Sequence, residues 1–165
     1  MFEGASTTLF VRDANGGIRD ATAAEIIAAA RHALSRRVRR GTTLTSPRLV
    51  HDFLSLKLGV LEHESFAVIL LDSRHRVIDY VELFRGTIDG ASVHPREVVK
   101  LALARNASAL VLAHPHPSGL PEPSRADEVI TKRLQDALAL VDIRVIDHVI
   151  IAGGEAVSLA ERGLL

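Results

Sequence analysis

Two short runs of almost uninterrupted apolar residues most constrain how this chain folds. They are FAVILLD at residues 66–72 and ALVLAH at 109–114, and a further predicted strand, IRVIDHVIIA at 143–152, closes the series. Runs of this length without polar alternation are typical of strands that are covered on both faces of a sheet. Segments with helical periodicity separate them, so the pattern predicts an α/β protein with helices packed on a mixed β-sheet.

Local signals define the helices around these runs. Thr22 and Glu25 have capping-box spacing at the start of one helix, and Ser46 precedes a proline at the start of the next. Glycine-containing turns are expected at 15–17 and 153–154. The predicted helices span 21–34, 45–59, 94–106 and the stretch from Ser124 to Val141, and a further strand spans 77–84.

The length of 165 residues favours one core-bearing domain with a short N-terminal annex. No linker is recognisable within residues 43–165, so any domain boundary lies near Gly41. We therefore divide the chain into a helical annex over 1–42 and a main domain over 43–165.

Composition excludes several classes of function. Lysine plus arginine and aspartate plus glutamate both number 20, so net charge gives no support to a nucleic-acid or acidic-membrane partner. No cysteine is present, which excludes disulfides, thiolate ligands and a cysteine nucleophile. The N-terminus lacks the pattern of a secretory leader, and no apolar run has membrane-spanning length, so we expect a cytoplasmic protein.

Arginines cluster in SRRVRRG at the end of the first predicted helix. We interpret them as a solvated helix end, where positive charge is favourable, and contact with phosphates is the alternative. The arginines are Arg36, Arg37, Arg39 and Arg40.

The segment AHPHPSGLPEPSRADEVI at 113–130 carries the most specific chemistry. His114 and His116 lie two residues apart at a strand end, where extended backbone directs both imidazoles to one face. A stiff loop rich in proline and glycine then leads to Ser124, and Asp127 lies about one helical turn further on. Two imidazoles and one carboxylate are a common ligand set for catalytic zinc.

Structural interpretations compete with this one. Ser124 and Asp127 also match a capping box, and His148 is interpreted as a hydrogen-bonded strand histidine, with contact to a metal ligand as the alternative. The conjunction of two histidines, a stiff loop and an aspartate favours a metal site. A cysteine-dependent zinc deaminase and a His-Glu-x-x-His protease are both excluded, because the required residues are absent.

The spacing of His114, His116, Ser124 and Asp127 resembles the JAMM motif of the JAB/MPN zinc metallopeptidases. The segments VELFRGTIDGASVHPREVVKLAL, LAHPHPSGLPEPSRAD and DHVIIAG resemble the RadC branch of that family, in the short form carried on mobile elements. The resemblance implies a JAB fold, similar to that of cytidine deaminases. It also implies one Zn²⁺ per chain on His114, His116 and Asp127, with Ser124 near the oxyanion and Glu64 acting on the attacking water.

The function implied by this resemblance is hydrolysis of a peptide or isopeptide bond in a protein or peptide substrate of unknown identity. A RadC-like DNA-repair or mobile-element accessory protein that acts only as a binding module is the alternative. One departure concerns Pro115, because RadC proteins usually have asparagine between the two histidines. Proline still permits extended backbone but removes an amide donor that could contact substrate.

Overall fold

The computed structural model of the chain describes residues 8–38, 40–44, 46–59, 61, 63–86 and 93–165. It has the α/β architecture that the apolar runs predict. In chain order the elements are β1 (Phe10–Arg12), β2 (Ile18–Asp20), α1 (Ala23–Arg37), α2 (Pro47–Leu58), β3 (Ser65–Leu71), β4 (Val77–Arg85), α3 (Pro95–Ala104), β5 (Ala109–Pro115), α4 (Arg125–Ala139), β6 (Arg144–Ala152) and β7 (Glu155–Ser158).

Five strands form the main sheet in the order β4-β3-β5-β6-β7. Strands β5 and β6 are parallel and are connected through α4, whereas the other neighbours are antiparallel. Since β3 runs antiparallel to β5, with Ala67 opposite Ala113, the first residues of β3 lie beside the last residues of β5. The chain entering β3 and the chain leaving β5 therefore share one edge of the sheet.

Helices cover both faces of this sheet. Side chains of α2 pack on one face, and those of α3 and α4 pack on the other. Every residue of β3 and of β5 is buried, which explains why these strands read as continuous apolar runs. The α2 face contains Phe53, Leu54, Leu58, Ile69, Val111 and Ile151, and the opposite face contains Val68, Val98, Leu112, Leu134 and Leu138.

Side-chain caps begin three of the four helices at the residues that the sequence indicates. Thr22 and Glu25 form a reciprocal capping box at α1, and Ser46 accepts a hydrogen bond from the Leu49 amide at α2. Ser124 and Asp127 form a second capping box at α4. Each cap satisfies amides that the first turn of a helix leaves without partners.

Three short strands were not predicted. The turn expected at 15–17 connects β1 to β2 in a hairpin, so the annex is not purely helical, and the turn at Gly153 and Gly154 connects β6 to the edge strand β7. Strands of three or four residues carry too little periodicity to be recognised in a sequence. Among the described residues, no helix is long and apolar enough to cross a membrane.

The core on the α4 side gives a direct test of the fold. Leu134→Ala removes a fully buried side chain, so we expect the free energy of unfolding to fall by about 2–5 kcal/mol. Leu140→Ala at the end of the same helix is the matched control, because that side chain is 87% exposed. Denaturant titration of both variants should show a change within about 0.5 kcal/mol for the control. Equal effects would contradict the assignment of this face to the core.

Candidate metal centre

The end of β5 positions two histidines on the same face of the sheet. His114 is fully buried, and His116, just beyond the strand, has a side chain that is 12% exposed. Their Nε2 atoms lie 2.9 Å apart. The i, i+2 spacing thus directs both imidazoles to one point, and Pro115 between them does not prevent this convergence.

The first turn of α4 carries Asp127 to the same point. Its Oδ2 accepts hydrogen bonds from the amide and from the hydroxyl of Ser124, both at 2.7 Å. Its Oδ1 lies 3.0 Å from Nε2 of His114. This Oδ1 is buried and has no hydrogen-bond partner among the described residues. The helix cap therefore holds Oδ2, which lies 3.4 Å from Nε2 of His116, and leaves Oδ1 directed at His114.

The partner of His116 shows which of its ring nitrogens carries the proton. Nδ1 lies 2.8 Å from the carbonyl oxygen of Leu120 in the proline-rich loop. A carbonyl can only accept, so Nδ1–H is the donor, and a neutral His116 has its lone pair on Nε2. That lone pair points toward His114 and Asp127, as a metal ligand requires.

These observations fit a bound cation. Among the described residues, His114, His116 and Asp127 form a group whose ligand atoms all lie within 4.8 Å of one another. Burial opposes the charged form of Asp127, but positive charge at the His114 side of the carboxylate and the two hydrogen bonds from Ser124 outweigh it, so the pKa of Asp127 lies below its ordinary value. The group can hold a metal ion with two nitrogen ligands and one oxygen ligand.

His148 also belongs to the surroundings of this group. It is fully buried in β6, and its Nε2 lies 2.9 Å from Nδ1 of His114. The sequence-based interpretation as a hydrogen-bonded strand histidine is correct, but the contact with His114, taken as the alternative, is present as well. Burial and the neighbouring His114 hold the pKa of His148 well below its ordinary value, so this ring is neutral.

Glu64 directly precedes β3 at the edge of the sheet where β5 ends. Its side chain is half-buried, and its backbone carbonyl accepts a hydrogen bond of 3.0 Å from the Gly86 amide. It is not a member of the ligand group. The antiparallel pairing of β3 with β5 thus brings Glu64 to the same edge of the sheet as the two histidines.

A groove opens beside His116 on the α2 side of the sheet. The β6–β7 turn lines part of it, and a Cβ added to Gly153 would lie 3.2 Å from the carbonyl oxygen of Gly119. Glycine at 153 therefore lets the turn approach the loop that carries the partner of His116. The groove is lined by Leu58, Leu61, Pro115, His116, Ile151 and Gly154, among others.

The fold and this site define an α/β domain with a buried His-His-Asp group at the edge of its sheet. Residues 44–164 match the model of the RadC-like JAB domain. The chain belongs to this family.

Relatives in several bacteria support the assignment. A UPF0758 protein of Thioalkalivibrio sulfidiphilus is 59% identical over 91% of this chain and 67% of its own length. UPF0758 proteins of Nitrosococcus oceani and Methylibium petroleiphilum are 59% and 53% identical, over 82% and 91% of this chain. The matches cover 60% and 68% of those two relatives, so the chain spans roughly two thirds of the proteins it resembles.

Removing one imidazole tests the metal centre. The wild-type protein should carry about one divalent ion per chain after purification without chelators, and His116→Ala should carry almost none, because three protein ligands are the minimum of such sites. The matched control is His32→Ala, since His32 is exposed on α1. Elemental analysis of the three proteins provides the measurement. If His116→Ala retains as much of the ion as the wild type, His116 is not a ligand.

Proposed function

We propose that this chain is a zinc-dependent hydrolase that cleaves a peptide or isopeptide bond. The observation that carries the proposal is the buried Oδ1 of Asp127, which has no hydrogen-bond partner among the described residues and lies 3.0 Å from an imidazole nitrogen. Two imidazoles with one carboxylate favour zinc, whereas magnesium and calcium prefer oxygen ligands alone. Membership of the JAB family, which includes hydrolases, supports the same conclusion.

The proposed chemistry divides between the metal ligands and Glu64. Zinc held by His114, His116 and Asp127 would acidify a water molecule and polarise the substrate carbonyl. Glu64 would accept a proton from this water as its oxygen adds to the carbonyl carbon. The same carboxyl group would then donate the proton to the nitrogen as the carbon–nitrogen bond breaks. Glu64 precedes Phe66 by two residues, and Phe66 stacks against His114 at 6.4 Å, which supports a shared face.

Ser124 has two proposed roles. Its hydroxyl donates to Asp127 Oδ2 and accepts from the Asp127 amide at 3.2 Å, so it holds the carboxylate for the metal. The role implied by the family resemblance, donation to the oxyanion that forms on the carbonyl, requires the same proton. Ser124 therefore serves the oxyanion only when its hydroxyl rotates away from Asp127.

The groove beside His116 supports a polypeptide substrate. Leu61 and Gly154 are at least partly exposed in this groove and His116 also lines it, so an extended chain placed there could present a carbonyl to the centre at the edge of the sheet. The protein or peptide substrate itself stays unidentified.

The alternative binding function would depend on the arginine cluster at the end of α1. Arg36 and Arg40 of this cluster are exposed, whereas Arg39 lies outside the described residues.

Glu64→Gln separates catalysis from metal binding. Glutamine keeps the size of the side chain but cannot act as a base, so we expect turnover to fall by about 10²–10⁴-fold while zinc content is unchanged. The measurement is cleavage of a peptide library by the zinc-loaded protein, followed by mass spectrometry. Glu97→Gln is the matched control, because Glu97 is paired with Lys100 on the surface of α3.

Two outcomes would contradict this proposal. If Glu64→Gln cleaves as fast as the wild type, Glu64 is not the base. If the zinc-loaded wild type cleaves no member of the library, and instead binds nucleic acid with an affinity that falls steeply with salt, the accessory-protein alternative replaces the hydrolase.

Ser124→Ala distinguishes the two roles of the cap. Loss of an N-cap hydroxyl should lower the free energy of unfolding by about 1 kcal/mol, and zinc affinity should weaken because Asp127 loses a hydrogen bond. Ser124→Thr keeps a hydroxyl and is the control. If Ser124→Ala retains both stability and zinc affinity but loses turnover, the serine acts at the oxyanion alone. Denaturant titration, zinc competition with a chelating dye and the peptide-cleavage assay supply the three readouts.

A further inference from the structure

A chain of buried hydrogen bonds runs from the backbone of α4 to His114. The Thr131 hydroxyl lies 2.5 Å from the carbonyl oxygen of Asp127 and 2.5 Å from Nδ1 of His148. Nε2 of His148 then lies 2.9 Å from Nδ1 of His114. Neither Thr131 nor His148 is a ligand in the metal-binding group.

The carbonyl oxygen of Asp127, at one end of this series of hydrogen bonds, determines which atom carries each proton. A carbonyl oxygen only accepts, so the Thr131 hydroxyl donates its single proton to Asp127. The hydroxyl oxygen must then accept from Nδ1–H of His148. A neutral His148 protonated on Nδ1 has a lone pair on Nε2, which accepts from Nδ1–H of His114. His114 is thereby left with its own lone pair on Nε2.

Burial excludes solvent that could compete for these hydrogen bonds. His114 and His148 are fully buried, and Thr131 is 1% exposed. The ring of Phe66 lies 6.4 Å from that of His114 and 5.7 Å from that of His148. No carboxylate among the described residues hydrogen-bonds to the ring of His148, and burial disfavours a second proton on that ring more than the nearby Asp127 favours it.

We propose that Thr131 and His148 form a relay that fixes His114 in the tautomer whose Nε2 lone pair faces the metal centre. Both are positioning residues, since they act through His114. The inference rests on the metal-binding part of the proposed function. In the opposite tautomer, a proton on His114 Nε2 would point at His116 Nε2, 2.9 Å away, and would have to leave before a metal could bind.

In this proposal a backbone carbonyl oxygen determines the tautomer of both histidines. The Leu120 carbonyl fixes His116 directly through Nδ1, whereas the Asp127 carbonyl fixes His114 through two intermediaries. Asp127 therefore contributes twice, with a side-chain oxygen toward the metal and a backbone oxygen that orders His114. Partners of this kind raise the basicity of ligand imidazoles and restrict their rotation.

The first experiment replaces the hydroxyl without changing the shape of the side chain. Thr131→Val should weaken zinc binding by about 10–100-fold, the range found when partners of ligand histidines are removed. Thr131→Ser restores the hydroxyl and should bind zinc like the wild type. Affinity is measured by competition between the purified full chain and a chelating dye, with Zn²⁺ alone as the probe, and thermal unfolding verifies that each variant is folded.

The second experiment reads the tautomer itself. In ¹⁵N-labelled, zinc-loaded wild-type protein, long-range ¹H–¹⁵N spectra should show His148 protonated on Nδ1 and bare on Nε2, the less common form of a neutral histidine. Thr131→Val should shift His148 toward Nε2–H, because Nδ1–H loses its acceptor. A purely structural role for Thr131 would leave these ¹⁵N signals unchanged.

Each outcome decides the proposal. The relay is overturned if the wild-type spectrum shows His148 protonated on Nε2, if Thr131→Val binds zinc like the wild type, or if the wild type binds no zinc. The wild-type spectrum decides alone if Thr131→Val does not fold. Failure of the hydrolase proposal is distinguishable, because a protein that binds zinc through the relay but cleaves no peptide supports the inference and rejects only the catalytic step.

Discussion

Burial of one carboxylate governs the structure around the candidate metal centre. Asp127 is fully buried, and an ionised carboxylate in such a position is unfavourable unless donors or cations surround it. Ser124 satisfies Oδ2, Oδ1 faces His114, and Nε2 of His116 lies 3.4 Å from Oδ2. Other hydrogen bonds orient both imidazoles. A cation at this point would compensate the remaining charge. The helix cap, the loop and the strand ends at this edge of the sheet together surround the buried charge of Asp127.

The parallel connection between β5 and β6 makes this arrangement possible. Strand β5 ends at the histidines, the first turn of α4 contains Asp127, and β6 returns beside β5 with Leu112 opposite His148. One crossover therefore supplies the ligands and the ring that contacts one of them. Glu64 directly precedes β3. It lies at the same edge of the sheet as the end of β5 because these two strands are antiparallel.

Much of the fold and of the candidate site could be predicted from local sequence patterns. The remaining contacts join residues that are distant in the sequence. Burial on both faces makes β3 and β5 readable as apolar runs, and strand alternation brings His114 and His116 together. The short strands β1 and β7 leave no such pattern. The contact of His148 with His114 depends on a register that shifts between Leu110 and Val111, and its partner Thr131 comes from a helix. Proximity of this kind has no signature in sequence spacing.

The capping box at α4 affects how related chains should be compared. Asp127 both completes the capping box of a helix and faces the histidines, so a related chain that has lost the metal would still be stabilised by an acidic residue there. Conservation of this aspartate alone is therefore a poor diagnostic of a working centre. The histidine pair and the Thr131–His148 pair have no comparable second use in capping. A comparison across relatives should weigh those four positions more heavily when it separates metal-dependent members from silent ones.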